Sequence, residues 1–390
     1  MFELSKDKLE ALGAEITTRE IRQQPELWQE ALELYTAAQE KITAFLDKVR
    51  ETSPNKRVKV IFTGAGTSQY VGDTILPYLK ANGDRSRYIF ESVGTTDLVS
   101  VPFHHLFADE TLLVVSFARS GNSPESVAAV ELANQIVPNA FHLTITCAPE
   151  GQLAKRAEGD EHNCLLLMPS RSNDAGFAMT GSFTCMLLSA LLVFDESKDL
   201  ATKTAVVKEI ARMADDIASR EEDIKAIVDL DIERIVYLGS GPLAGLTREA
   251  QLKVLELTAG KLSTMFDSSM GFRHGPKSFV NEKTLVVDFV NNNPYTRDYD
   301  LDLLEEVYGD KIALKTLAVA QRGERNFSGD TFELISDQLI DDAYLALPMV
   351  FVAQIISLLS SVKVDNTPDT PSATGTVNRV VKGVIIHDYN

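Results

Sequence analysis

The sequence is poor in the features that mark secreted, zinc-binding and membrane proteins. Its three cysteines, Cys147, Cys164 and Cys185, show no C-x-x-C spacing, so neither a disulfide framework nor a zinc site is expected. We expect no segment to offer the 18 or so uncharged apolar residues of a membrane span. Residues 1–7 also lack the basic and then apolar layout of a signal peptide. The sequence therefore predicts a cytoplasmic protein with no membrane partner.

Basic residues are also scarce. The chain has 38 Lys and Arg residues against 56 Asp and Glu residues, a formal net charge of −18. This charge repels polyanions, so we expect no nucleic-acid partner. A small anion could still bind, because backbone N–H groups at a helix N-terminus can hold one phosphate. The 390 residues, 44% of them hydrophobic, suffice for two globular domains.

Short apolar, β-branched segments alternate with helical patterns after a helical stretch of about fifty residues. The strand candidates are Val58–Phe62, Tyr88–Phe90, Leu112–Val115, Leu143–Thr146 and Leu165–Leu167, with helix candidates near 69–81, 124–136 and 176–194. Apolar strands separated by helices are typical of a parallel sheet that is covered on both faces. The fold class is therefore α/β.

The pattern then begins again. Arg234–Leu238 runs into Gly239-Ser240-Gly241 as Val58–Phe62 runs into Gly64-Ala65-Gly66, about 175 residues earlier. Further candidates are strands at Thr284–Phe289 and Ile312–Leu314 and a helix over 341–362. The repetition predicts two tandem α/β domains.

Domain boundaries follow from these patterns. We expect a helical segment over 1–48, a first α/β domain over 49–198, a second over 199–364 and a tail over 365–390. Pro368 and Pro371 prevent a regular helix or sheet at the start of the tail, which is therefore expected to be extended.

Two hydroxyl-rich loops follow predicted strands of the first domain. Gly64–Ser68 follows the first strand, and Arg119–Ser123 precedes Pro124, which suits the first position of a helix. Both loops would lie at the carboxyl edge of one sheet, where such folds bind ligands. One phosphate could be bound there by Thr67, Ser68, Ser120 and Ser123. The alternative is that these residues only cap helices. A dinucleotide fingerprint is not supported, because Gln69 stands where its third glycine would be.

These loops resemble the sugar-phosphate loops of sugar isomerase (SIS) domains. From about residue 17 onward the duplicated layout is similar to the isomerase half of glucosamine-6-phosphate synthase, and Arg273-His274-Gly275-Pro276 resembles a motif of its second domain. The resemblance implies two SIS domains, each a mostly parallel sheet between layers of helices. The substrate-binding residues that it implies are Gly66, Thr67, Ser68, Arg119, Ser120, Ser123 and Arg379.

The resemblance also implies catalytic roles. Glu256 would carry a proton between C2 and C1, Lys253 would support it from the same helix face, and His274 would open the sugar ring. In the family a C-terminal lysine reaches the sugar, and Lys382 is the best match, with Arg379 as a rival. The structural alternatives are a solvated helix position for Glu256, a structural loop histidine for His274 and a solvated tail charge for Lys382.

The same resemblance also bears on the oligomeric state and on the need for a cofactor. We expect a homodimer or a dimer of dimers in which His274 reaches across a two-fold interface into the partner's site. The tail would cover the active site. No metal and no organic cofactor are expected, since the chemistry needs only proton transfers and hydrolysis.

Several segments resemble the AgaS-type galactosamine-6-phosphate deaminase/isomerases, once called tagatose-6-phosphate ketose/aldose isomerases. They are 95–98, 116–126, 270–277 and 377–381. Phe2 also stands where the glutaminase of the synthase has its nucleophilic cysteine, so we expect the chemistry to run toward ammonia release. The substrate would be D-galactosamine 6-phosphate and the products D-tagatose 6-phosphate and ammonia. The alternatives are a glucosamine-6-phosphate deaminase, a fructosamine-6-phosphate deglycase or a non-catalytic sugar-phosphate sensor.

Overall fold

The computed structural model describes residues 1–53, 56–381 and 383–389. Its strands form two five-stranded sheets, and the chain divides into two compact units, each containing one sheet. The first-sheet unit comprises Leu27–Asp174, Gly181–Thr204 and the described residues of Val377–Asn390. The second-sheet unit comprises Met1–Glu26, Ala175–Thr180 and Ala205–Thr376.

Helices and strands alternate through most of the chain. The helices are α1 (Lys6–Ala11), α2 (Glu15–Arg22), α3 (Gln24–Glu51), α4 (Thr67–Asn82), α5 (Thr95–Ser100), α6 (Pro124–Ile136), α7 (Gln152–Ala157), α8 (Gly181–Phe194), α9 (Leu200–Ser219), α10 (Glu221–Val228), α11 (Pro242–Leu257), α12 (Pro294–Asp310) and α13 (Asp342–Lys363). The strands are β1 (Val58–Thr63), β2 (Tyr88–Ser92), β3 (Thr111–Ala118), β4 (Asn139–Thr146), β5 (Asn163–Leu167), β6 (Arg234–Gly239), β7 (Ser263–Ser268), β8 (Thr284–Phe289), β9 (Lys315–Ala320) and β10 (Asp330–Glu333).

The first sheet has the strand order β2-β1-β3-β4-β5, and all neighbouring strands are parallel. Every residue of β1 and of β3 is buried, as expected for strands that helices cover on both faces. β2 and β3 lie on opposite sides of β1. A crevice therefore opens at the carboxyl ends of β1 and β3, the position where open α/β sheets bind ligands.

An apolar helix and an aromatic cluster form the core behind the first sheet. All 14 residues of α8 are buried. Phe194, at its end, packs edge-on against Phe62 of β1 with ring centroids 5.3 Å apart, and Phe62 stacks on Phe90 of β2 at 5.9 Å. These edge-on and offset contacts are the favourable geometries for aromatic pairs.

The start of α8 is fixed by a buried carboxylate. Asp174 accepts hydrogen bonds from the backbone N–H groups of Gly181, at 3.1 Å, and Ser182, at 3.0 Å. The carboxylate satisfies two donors that the helix cannot satisfy itself, and its negative charge suits the helix N-terminus.

The second sheet repeats the topology of the first. Its order, β10-β9-β8-β6-β7, is the order of the first sheet read from the other edge, and its neighbours are again parallel. The helix after the first strand begins at an equivalent glycine in both sheets: Gly66 has φ 55° and ψ −126°, and Gly241 has φ 56° and ψ −127°. The predicted pair of α/β folds is confirmed.

Some predicted boundaries were wrong. The strand expected at Ile312–Leu314 begins at Lys315 instead, because Lys311 adopts a left-handed conformation after α12 and residues 312–314 form the connection. The helix expected over 176–194 begins at Gly181. The sequence analysis also missed β7 and β10, which are short edge strands with polar residues among their exposed positions.

One helix corrects the expectation about long apolar segments. α13 is long and apolar enough to cross a membrane by length and composition alone. However, 94% of its most apolar 18-residue window is buried inside the protein, where α13 packs against α2, α10 and α11. The apolar residues of α13 therefore belong to the core of the second-sheet unit, since a helix that is apolar all round is typical of a protein core.

The cap of α8 leads to a prediction about stability. Asp174→Ala is expected to lower the free energy of unfolding by about 1–3 kcal/mol, because two buried backbone N–H groups lose their acceptor. Asp174→Asn should cost less, since one acceptor oxygen remains. Urea denaturation followed by circular dichroism measures both.

The matched control is Asp199→Ala, which removes a fully exposed carboxylate that accepts from the Thr202 N–H near the start of α9. Water can replace that acceptor, so the loss should be smaller. Equal losses for the two alanine variants would show that burial of the Asp174 cap has no special effect.

Candidate active site

Two loops meet at the carboxyl edge of the first sheet. We call Gly64–Ser68 loop L1 and Arg119–Ser123 loop L2. L1 follows β1 and L2 follows β3, and these strands pair with Thr63 opposite Ser116. The pairing places L1 and L2 side by side. The strand register thus brings both loops to one edge of the sheet, as the sequence predicts.

Glycine is required in L1 for two separate reasons. Gly66 has a positive φ with ψ −126°, a conformation that other residues rarely adopt. A Cβ atom on Gly64 would lie 2.6 Å from the backbone carbonyl carbon of Ser68. The turn can therefore carry the chain directly from β1 into α4 only with glycine at both positions.

The hydroxyl groups of L1 and L2 lie at the starts of two helices. Thr67 and Ser68 are buried in the first turn of α4, and Ser123 immediately precedes α6. The Ser123 hydroxyl lies 2.6 Å from that of Ser126, and the Ser120 hydroxyl accepts from the Asn122 N–H at 3.3 Å. Two helix N-termini and several hydroxyls at one edge form an environment that suits a phosphate.

The equivalent edge of the second sheet is already occupied by a carboxylate. Ser240 donates to Asp300 at 2.5 Å, and Asn291 donates to the other oxygen of Asp300 through its backbone N–H and its side chain. Burial raises the pKa of Asp300. Pro242, the first residue of α11, also lacks the N–H group that Thr67 has at the start of α4. The edge of the first sheet is thus the better candidate for a phosphate site.

Two arginines that the sequence analysis assigns to substrate binding contact the C-terminal segment or belong to it. Arg119 donates to the backbone carbonyl of Arg379 at 2.6 Å. The Arg379 guanidinium donates to the carbonyl of Asp174 at 2.8 Å and to the side chain of Asn173 at 3.0 Å. These contacts give Arg379 a structural task that its position in the sequence does not indicate. Lys382, the best match for the family's C-terminal lysine, lies outside the described residues.

α11 carries a buried lysine between two carboxylates. The Lys253 ammonium lies 2.5 Å from Glu256 Oε2 and 3.4 Å from Glu249 Oε1. The side chains of Lys253 and Glu249 are 1% and 0% exposed, whereas that of Glu256 is 23% exposed. Burying an ammonium is costly unless it is paired, and these carboxylates provide the pairing. Glu256 is therefore held by a fixed cation and still open to a ligand.

Glu249 was missed by the sequence analysis. It lies four residues before Lys253 and seven before Glu256, a spacing that places all three on one helix face. That spacing was the signal that could have identified it. Its complete burial depends on the packing of α11 against α13, β6 and β7.

His274 lies in an exposed loop of the second-sheet unit. Gly275 has φ 121°, so the turn after the histidine requires glycine. On one side Arg273 pairs with Glu306 of α12 at 2.9 Å, and on the other Lys277 pairs with Glu306 and Asp310 at 2.5 Å each. The hydrogen bond from Lys277 lowers the pKa of Glu306, which favours the ionised carboxylate in these ion pairs. The loop is thus held at both ends while its histidine faces outward.

Metal binding finds no support in the described part of the chain. No group of three or more His, Cys, Asp and Glu side chains is arranged there to hold a metal ion.

Comparison with known proteins gives the family. A SIS domain model matches residues 55–194, the region that contains the first sheet and both loops. The D-galactosamine-6-phosphate deaminase AgaS of Escherichia coli is 44% identical over 375 residues, 96% of each chain. The protein of the same name from Shewanella sp. (strain ANA-3) is 38% identical over 387 residues, 99% of this chain and 95% of the relative.

A solved structure agrees with these sequence matches. The crystal structure of tagatose-6-phosphate ketose/aldose isomerase from Escherichia coli superimposes with a TM-score of 0.86 at 42% identity, covering 96% of each chain. The agreement extends over both sheets and not only over the matched SIS region. The chain belongs to the AgaS D-galactosamine-6-phosphate deaminase family of SIS-domain proteins.

Proposed function

We propose that this protein converts D-galactosamine 6-phosphate to D-tagatose 6-phosphate and ammonia. The observation that carries the proposal is the pair formed by the partly exposed Glu256 carboxylate and the buried Lys253 ammonium, 2.5 Å apart. A carboxylate that is held in place and open to a ligand is suited to act as a base. The family relationship supplies the substrate class.

The proposed reaction begins with ring opening, for which His274 is the candidate acid and base. An imidazole can both donate and accept a proton. Ion pairs of Arg273 and Lys277 with Glu306 connect the loop that carries His274 to α12. Opening the ring gives the 2-amino aldehyde, whose C2 proton is acidified by the neighbouring carbonyl group.

Glu256 is proposed to remove the C2 proton and return it to C1. Loss of the proton gives an enolamine, and protonation at C1 gives a ketimine at C2. Water adds to the ketimine carbon, and the C–N bond then breaks to give the ketose and ammonia. Lys253 lies 2.5 Å from Glu256. Its ammonium can stabilise negative charge that develops on the substrate oxygen next to the reacting carbon.

L1 and L2 are proposed to bind the phosphate. Their hydroxyls and the N-termini of α4 and α6 provide neutral donors, which explains how an anion can bind to a protein with a net charge of −18. The second sheet offers no equivalent, because Asp300 already accepts from Ser240.

The first test is an ammonia-release assay with galactosamine 6-phosphate, glucosamine 6-phosphate and fructosamine 6-phosphate. We expect the highest kcat/KM with galactosamine 6-phosphate and equal yields of ammonia and tagatose 6-phosphate. A higher value with either other sugar would assign that substrate instead. Absence of ammonia from all three would favour a sugar-phosphate sensor.

The second test is Glu256→Gln. The amide keeps the shape of the side chain but cannot act as the base, so kcat should fall by about 10²- to 10⁴-fold while KM changes little. Glu222→Gln, at an exposed position of α10, is the control and should retain full activity. A near-normal kcat for Glu256→Gln would remove this residue from the mechanism.

The third test concerns L1 and L2. Ser68→Ala and Ser120→Ala should each weaken substrate binding by about 1–3 kcal/mol, the usual effect of losing a hydrogen bond to a charged group. Inorganic phosphate should compete with the substrate. Ser240→Ala in the second sheet is the control and should leave phosphate affinity unchanged. Unaltered affinity in both loop variants would place the phosphate elsewhere.

A further inference from the structure

A cavity of about 780 Å³ lies beside L1 in the first-sheet unit. Ala65 and Gly66 of L1 form part of its wall, together with Thr96 of α5, Glu125 of α6 and apolar residues of the C-terminal segment such as Ile385. The cavity therefore adjoins the proposed phosphate site. Its wall is mostly apolar, and among the described residues its two acidic members are Glu125 and Asp388.

Glu125 is a buried carboxylate with an oxygen that lacks a partner. The residue is 6% exposed, and its Oε2 atom makes no hydrogen bond within the described part of the chain. His387 of the C-terminal segment lines the same cavity, yet it is not a hydrogen-bonding partner of this oxygen. A buried charge without a partner is unfavourable, so such groups commonly await a ligand.

Two more oxygens at this corner of the unit share this property. Thr63 Oγ1 and Thr95 Oγ1 are buried and make no hydrogen bond to any described residue. Thr63 ends β1 and points to the same sheet face as Ile61, which packs with residues of α5 and α6. The Thr95 N–H donates to the carbonyl of Gly64 at 2.8 Å. β1, α5 and α6 thus each place an unused oxygen near L1.

The position of Glu125 at the second residue of α6 does not account for its burial. A carboxylate is favoured electrostatically in the first turn of a helix, and this effect also operates at the protein surface. A capping role would require Oε2 to accept from a backbone N–H, which it does not do. A buried carboxylate that lines a cavity and keeps one oxygen without a partner among the described residues is better explained by a ligand that binds there.

The chemistry of these oxygens indicates a cationic donor. A carboxylate accepts only, and hydroxyl oxygens can accept as well, so the complementary group carries positive charge and several N–H bonds. A protonated primary amine fits this description. In an amino sugar 6-phosphate the amine nitrogen on C2 is five bonds from C6, and Glu125 is two residues from Ser123 of L2.

We propose that Glu125 binds the protonated amino group of the sugar phosphate and so selects amino sugars over sugars with a hydroxyl at C2. The assignment rests on the proposed function for its substrate class. It adds a specificity-determining residue in the first-sheet unit, apart from the base and the acid. The apolar wall strengthens the interaction, because it lowers the local dielectric constant.

The experiment compares two ligands that differ only at C2, galactosamine 6-phosphate and galactose 6-phosphate. Binding is measured by calorimetry in the Glu256→Gln background, where substrate does not turn over, with and without Glu125→Gln. We expect Glu125→Gln to weaken binding of the amino sugar by roughly 10- to 100-fold, as for loss of a charge-assisted hydrogen bond. Binding of galactose 6-phosphate should change by less than about twofold.

Glu131→Gln is the matched control, since it makes the same change on the same helix at an exposed carboxylate that pairs with Arg156. It should affect neither ligand. Equal weakening of both ligands by Glu125→Gln would show that Glu125 supports the phosphate loops. No weakening of either would show that the amine binds elsewhere. Both outcomes overturn the proposal.

Thermal unfolding gives an independent check. Glu125→Gln removes a buried carboxylate whose Oε2 atom has no partner among the described residues, so the ligand-free melting temperature should stay equal or rise. A lower melting temperature would indicate a structural role and contradict the proposal. Ammonia release by the wild-type protein is measured separately. An active enzyme with an unselective Glu125→Gln variant would overturn only the assignment of Glu125, whereas selective loss of amine binding would stand even without ammonia release.

Discussion

The parallel pairing of β1 with β3 is the constraint on which the candidate phosphate site depends. Its register, with Thr63 opposite Ser116, ends β1 within two residues of the end of β3 at Ala118. The loops and the helix N-termini that follow are then neighbours by construction. A shift of one residue would turn the buried side chains of one strand to the opposite face, so the core that fixes the register also fixes the site.

Duplication of the fold has not duplicated the site. Both sheets share strand order and an equivalent glycine turn at Gly66 and Gly241. In the second-sheet unit the carboxylate of Asp300 takes the hydrogen bonds of Ser240 and Asn291, and Asp288 nearby is so deeply buried that its pKa rises well above the usual range. The carboxyl edge of the first sheet thus suits an anion. At the equivalent edge of the second sheet, the carboxylate of Asp300 already accepts the hydrogen bonds.

The second-sheet unit contributes in another way, through α11. Lys253 can be buried because Glu249 and Glu256 offset its charge. The two carboxylates differ in exposure. Glu249 belongs to the interior. Glu256 borders solvent and can meet a ligand. A single helix therefore contains both a buried carboxylate and a partly exposed one, with the same cation close to each.

The sequence by itself determined the features that arise from neighbours along the chain. Strands such as β1 and β3 were predicted because burial on both faces demands continuous apolar residues, and L1 was found because its glycines follow such a strand. The spacing of three residues between Lys253 and Glu256 was enough to place them on one helix face.

Tertiary structure decided what depends on residues far apart in the sequence. Arg379 contacts Asn173 and Asp174, more than 200 positions away, so its anchoring role leaves no local pattern. The edge strands β7 and β10 lacked the apolar signal because a strand with one neighbour is less buried. In the sequence, Glu125 looks like an ordinary acidic residue in the first turn of a helix. Only the tertiary structure buries it and leaves its Oε2 atom without a partner among the described residues, because burial is a property of the assembled layers and not of any one segment.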